Sequence, residues 1–148
     1  MWKTEHSVEC AVGRNIAWEF WTNVANWHSV DPAVESATLD GPFAAGATGT
    51  TTQPGRDPVV WRVTEAESPH SALIEISAPG AVMQCRWRFE EVAPGLTRLT
   101  QQVSFAGEKA AEFAQMIGPE MEKNLPPGMQ RLADAIVKAA KSANVHLA

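Results

Sequence analysis

The sequence predicts an α+β domain in which a curved antiparallel sheet of seven strands is covered by a long C-terminal helix, with two short helices between the first and second strands. Three observations predict it. Apolar and polar residues alternate with period two, best in Met83, Cys85, Trp87 and Phe89 against Gln84, Arg86, Arg88 and Glu90, the pattern of a strand with one wet and one covered face. Reversals at Gly41-Pro42, Pro54-Gly55-Arg56-Asp57, Ser68-Pro69-His70, Pro79-Gly80 and Pro94-Gly95 cut the chain into short segments. Proline presets φ there and glycine tolerates positive φ. From Gly107 onward the composition turns helical.

Taken in order, residues 2–10 place Trp2, His6, Val8 and Cys10 on one side and Lys3, Glu5, Ser7 and Glu9 on the other, which makes the first strand. Asn15 stands as an N-cap before Ile16 to Trp21, a helix of about two turns with an aromatic face, and a second short turn follows at 24–27. Beyond Asp31-Pro32, six strands are expected at 34–40, 47–53, 59–66, 72–77, 81–92 and 97–106, joined as an antiparallel meander. Leu99, Val103 and Phe105 continue the covered face and bring Gln101 in with them, and a buried amide requires a partner. Met116, Glu120, Asn124, Met129, Leu132, Ala133, Ile136 and Val137 are spaced for one face of the C-terminal helix. Pro126-Pro127 removes hydrogen bonds from a helix interior, so a break is expected there, with the final helix at 128–142.

The 148 residues fit one domain over 1–148, without repeat or linker. The formal charge of −5 and the scattered basic residues offer no cationic stripe for a phosphate backbone, so no nucleic acid is expected as partner. Lys138 and Lys141 are too few to hold an anionic membrane surface, and no run reaches the roughly 20 apolar residues of a span, so no stable membrane insertion is expected. Cys10 and Cys85 read as small buried hydrophobes, and the N-terminal residues lack a signal-peptide stretch; a reducing, cytoplasmic setting is the expectation. The histidines at 6, 28, 70 and 146 show no metal-ligand spacing, and the chain contains no GxSxG elbow, P-loop or GxGxxG motif. Neither a metal nor a cofactor is expected, and oligomeric state is unspecified.

Ala17-Trp18-Glu19-Phe20-Trp21, Trp27-His28-Ser29-Val30-Asp31-Pro32, Leu39-Asp40-Gly41, Trp87-Arg88-Phe89 and Gly95-Leu96-Thr97-Arg98-Leu99-Thr100 stand at the corners of this order of elements. With them the chain resembles the helix-grip fold. It is similar over nearly its whole length to the polyketide cyclase/dehydrase and lipid-transfer (SRPBCC, START-like) superfamily. These residues mark architecture rather than catalysis. Relatives usually carry an uninterrupted C-terminal helix, whereas Pro126-Pro127 and Gly128 divide this one.

The resemblance implies a hollow between sheet and helix, and a strongly twisted sheet is wider than one helix can fill. The expected lining is Val8, Trp61, Val63, Ile74, Ile76, Met83, Trp87, Leu99, Val103, Phe105, Met116, Met121 and Leu125, although apolar residues at this spacing also make plain core. Four polar residues are expected to point inward: His6 and Glu120 as candidate acid/base groups, Gln101 and Asn124 as candidates to orient a carbonyl or hydroxyl. The bland alternatives are a hydrogen-bonded core histidine, a solvated helix carboxylate and two amides that satisfy each other. His28 is placed at the rim or in an exposed loop. Carriage of a small hydrophobic molecule, polyketide-like or lipid, is the first functional expectation. A cyclase or dehydratase using an inward acid/base is the second, and an interaction module of the Hsp90-activator type the third.

Overall fold

The alternation in Met83, Cys85, Trp87 and Phe89 belongs to β6, Ala81–Ala93, the longest strand of the computed structural model. The structure describes residues 2–31 and 33–147, with side chains through residue 143; Pro32, at the expected start of the second strand, and the side chain of His146 lie outside the described residues. Strand β1 is Lys3–Cys10, and helix α1, Arg14–Thr22, leads through a 3-10 turn at Val24–Asn26 into helix α2, Trp27–Val30. Strands β2 (Ser36–Leu39), β3 (Thr48–Thr52), β4 (Val59–Glu67), β5 (Ser71–Ala78), β6 and β7 (Leu96–Ala106) follow, and helix α3, Ala110–Leu147, ends the chain. The seven strands form one antiparallel sheet in the order β1-β7-β6-β5-β4-β3-β2.

Chain chemistry explains the reversals. Ala78 pairs with Ala81 and Ala93 with Leu96, leaving two-residue loops Pro79-Gly80 and Pro94-Gly95. The second residue of each has positive φ, 85° at Gly80 and 73° at Gly95, a conformation that side chains resist and glycine accepts. Register shifts at Val63/Glu65 and Glu91/Ala93 add local twist and curl the sheet. Its convex face is wet: the arginines of β6 and β7 each reach a carboxylate, Arg86 to Glu65 at 3.2 Å, Arg88 to Glu5 at 3.1 Å and Arg98 to Glu9 at 3.4 Å.

Two expectations about helices are corrected. The N-cap of α1 is Gly13, not Asn15, which lies inside the helix; the Glu91 carboxylate of β6 accepts from the Arg14 backbone N–H at 2.9 Å and does the capping from across the fold. No break occurs at Pro126-Pro127 either, because α3 runs through both, and through Pro119. Pro127 is exposed, and the carbonyls that lose a donor to Pro126 and Pro127 belong to Glu122 and Lys123, residues exposed to hydrating water. The stripe on the other side of the helix, with Leu125 and Met129 flanking the prolines, packs on the core and carries the helix across.

The core lies between the concave face and the helices. Phe89, Leu99, Val63, Val103, Met129 and Ile136 are sealed, each contributing about 1.5–3 kcal/mol by burial. One buried polar group, the Thr97 hydroxyl, is satisfied by donating to the Val12 carbonyl at 2.8 Å. Among the described residues no helix is long and apolar enough to cross a membrane.

Candidate functional site

The concave face is read row by row across paired strands. Trp87 of β6 stands opposite Gln101 of β7, and Gln101 opposite His6 of β1. One row over, Ile74, Cys85 and Val103 align, and beyond them Ile76 opposes Met83, which opposes Phe105. All point to the same side because strand side chains alternate. Gln101 and His6 are therefore adjacent polar residues in a largely apolar surface, both half-buried, with Thr4 beside them on β1. The Gln101 side chain neighbours the Cys85 thiol. Burial pushes the pKa of that thiol up to about 11, with the Gln101 amide pulling the other way.

Helix α3 lies chiefly over β1, with smaller areas on β7 and β6, and meets α1 and α2 on its other flank. Its inward stripe is Ala114, Gly118, Met121, Leu125, Met129, Leu132 and Ile136. Met121 and Leu125 thus face the core, half-buried, as expected. Met116, Glu120 and Asn124 do not: they lie on the solvent side, Met116 being 73% exposed. The helix is rotated relative to the expected phase because small residues, Ala114 and Gly118, let it sit close. With Glu120 in solvent, His6 is left without the second inward acid/base group expected for it. His28 is exposed, its ring Nδ1 2.8 Å from the Ala25 carbonyl.

Much of the width between sheet and helices is filled by side chains. Aromatic rings occupy that width as a continuous series: Trp18 against Phe89 at 5.2 Å, Trp21 against Trp87 at 5.0 Å and Phe43 at 5.0 Å, and Trp27 stacked on Trp61 at 4.9 Å. Their polar atoms are satisfied: the Trp27 indole N–H donates to the Trp21 carbonyl at 2.8 Å, and that of Trp61 to Thr51 Oγ1 at 2.9 Å. Trp61, Ile74, Trp87, Leu99 and Val103 accordingly belong to the buried core, as do Val8, Val63 and Phe105. Ile76, Met83, Met121 and Leu125 remain half-buried at its margin.

Two open grooves lie along α3. One, about 560 Å³, is lined by Trp2, Phe105, Gly107, Glu108, Ala110, Ala111, Ala114 and Gln115, under the start of α3. The other, about 370 Å³, lies beside Asp134, Val137, Lys138, Lys141 and Ser142 on the far half of α3. Sequence reasoning missed the first, whose wall is Trp2, a residue it had placed in a strand. Among the described residues no three His, Cys, Asp or Glu side chains gather as a metal site.

A curved seven-stranded antiparallel sheet that grips a long C-terminal helix, with two short helices after the first strand, is a helix-grip domain. The chain belongs to the family described as polyketide cyclase / dehydrase and lipid transport, which it matches over residues 1–141. Its fold is similar to that of the Zhui aromatase/cyclase from Streptomyces sp. R1128, at 15% identity and TM-score 0.74, covering 95% of this chain and 96% of that one. Norcoclaurine synthase from Thalictrum flavum, solved in complex with dopamine and hydroxybenzaldehyde, is similar at 14% identity and TM-score 0.70, covering 95% and 86%. Protein NE0264 from Nitrosomonas europaea is similar at 15% identity and TM-score 0.73, covering 95% and 96%. No curated protein matches the chain by sequence. At these identities the likeness concerns the fold.

Proposed function

We propose that the protein binds a small hydrophobic molecule against the margin of the aromatic core, between Ile76 and Met83 on the sheet and Met121 and Leu125 on α3. Gln101 and His6 supply its polar contact. The observation that carries this reading is uneven sealing of one apolar face. Leu99 and Val103 in the middle of the face are closed to solvent, while Ile76 and Met83, pointing the same way, keep partial access. Half-covered apolar side chains next to unsaturated polar ones invite a ligand with an apolar body and a polar edge. Burying about 200 Å² of such a body contributes about 5 kcal/mol before ordering costs, which by itself sets Kd no tighter than about 0.2 mM.

Family membership supports binding and leaves chemistry to the residues. The cyclase reading requires an inward acid/base set, and of the two described candidates, His6 and Glu120, His6 faces inward and Glu120 does not, so binding is favoured over turnover. The interaction-module reading requires a contiguous apolar patch. The large exposed apolar side chains Ile16, Val59, Val60, Val92 and Met116 are spread over α1, β4, β6 and α3.

The test is a titration with 2-naphthol followed through tryptophan fluorescence. Saturable quenching with Kd between about 0.1 and 1 mM is expected, abolished by Met83→Glu with the melting temperature held above the assay temperature. Wild-type protein that shows no saturable quenching up to the solubility limit of the probe ends the proposal.

A further inference from the structure

We infer that the open groove under the start of α3 is a second binding site, separate from the inner face, which takes an organic ammonium ion: a positively charged nitrogen on a small apolar body. The groove measures about 560 Å³, within the span of small-molecule sites. It lies on the Trp2 side of Phe105, whereas the margin proposed above lies on the Met83 side. Met83 opposes Phe105 across the β6–β7 pair, and Trp2 packs on Phe105 at 5.3 Å between ring centres. Phe105, 2% exposed, stands between the two.

The apolar part of the site is held in place before any guest arrives. The Trp2 indole is fixed by the Phe105 ring, by Gly118, where a Cβ would approach its Cε2 to 3.1 Å, and by Glu122, whose Oε1 accepts from the indole N–H at 3.2 Å. A wall already fixed loses little freedom on binding. Gly107, Ala110, Ala111 and Ala114 line the groove as well, and their small side chains keep the space open. Among side-chain rings the indole attracts a cation most strongly, because the ring face is the negative side of its quadrupole.

Charge selects the guest. Among the described residues Glu108 is the charged member of the lining, with the amide of Gln115 for company, and the Glu122 carboxylate sits at the edge of the same indole. The nearby cations are turned elsewhere. Lys109 lies along Gly80, where a Cβ would meet its Cδ at 2.7 Å, and Lys3 stands on the convex side of the sheet, opposite in alternation to Trp2. The positive end of the α3 dipole is offset by Glu108 just before the helix and Glu112 in its first turn. A neutral guest gains only the apolar wall, and an anion meets carboxylates.

The test is a titration of the full chain with benzyltrimethylammonium, followed by heteronuclear NMR of backbone and indole N–H groups, with benzyl alcohol as the neutral probe and phenylacetate as the anion. The ammonium is expected to shift the Trp2 indole N–H and the amides of 107–115 saturably, with Kd of about 1–10 mM. Benzyl alcohol and phenylacetate should bind at least about tenfold more weakly. Glu108→Gln is expected to weaken the ammonium about threefold and to leave benzyl alcohol unchanged. Ala111→Leu, a substitution at an exposed helix position that fills the groove, should abolish the ammonium shifts. Shifts indifferent to Glu108→Gln, binding as tight for benzyl alcohol as for the ammonium, or shifts outside Trp2 and 107–115 overturn the site. Ammonium binding as expected in a protein that gives no 2-naphthol quenching upholds this site and overturns the inner-face reading; 2-naphthol binding without ammonium shifts does the reverse.

Discussion

The ring of Trp61 lies flat over Gly49, its partner across the β3–β4 pair, so closely that a Cβ at position 49 would fall inside the indole. Glycine is required there for space, and its absent side chain is the seat on which Trp61 rests and Trp27 stacks in turn. Gly49→Ala must shift a ring held on both sides, and overpacking of this kind costs about 1–3 kcal/mol. Urea unfolding of the variant is expected to show a lowered midpoint with an unchanged slope. A midpoint equal to that of the wild type would show that the stack is free to slide.

Gln101 lies on the inner face between Trp87 and His6. A neutral hydrogen bond contributes about 0.5–1.5 kcal/mol, so Gln101→Leu is expected to weaken 2-naphthol about threefold to tenfold. Naphthalene, which has nothing to offer an amide, should bind both forms alike. Equal losses for the two probes would mean that the substitution acts on shape and not on hydrogen bonding.

Burial raises the pKa of Cys10 and of Cys85 from the usual 9.0 to about 11. At pH 8 about one thiol in a thousand is ionised in the native protein, and only the thiolate alkylates. Iodoacetamide should label native protein far more slowly than urea-unfolded protein, by about a hundredfold or more. The same shift has a stability sign. The native state holds its thiol protons above the pH at which the unfolded state releases them, so stability is full below pH 9 and falls as pH rises toward about 11. A urea midpoint that stays level from pH 8.5 to 10.5 would contradict it.

The sheet was legible because its signals are local. Alternation in β6 and glycine turns at Gly80 and Gly95 depend on neighbours along the chain, and they place Gln101 and His6 on the inner face before any coordinates. What eluded the sequence depends on contact between distant segments. Met116, Glu120 and Asn124 repeat every four residues and mimic a buried stripe, yet the true stripe passes through Ala114 and Gly118, whose hydrophobic signal is slight and whose value is closeness. The cap of α1 comes from Glu91, 77 residues from Arg14, which no capping pattern encodes. The aromatic stack was hidden similarly: each tryptophan was visible in the sequence, but not that those of α1 and α2 converge with those of the sheet.

The arginine–glutamate pairs on the convex side carry a consequence for how the molecule meets others. Opposite charges 3.1 to 3.4 Å apart behave at a distance as small dipoles, whose potential dies away within the spacing of the pairs themselves. Around these three pairs the surface is therefore electrically quiet to a passing macromolecule even where mobile ions are scarce, and long-range steering falls to the acidic surplus elsewhere on the chain.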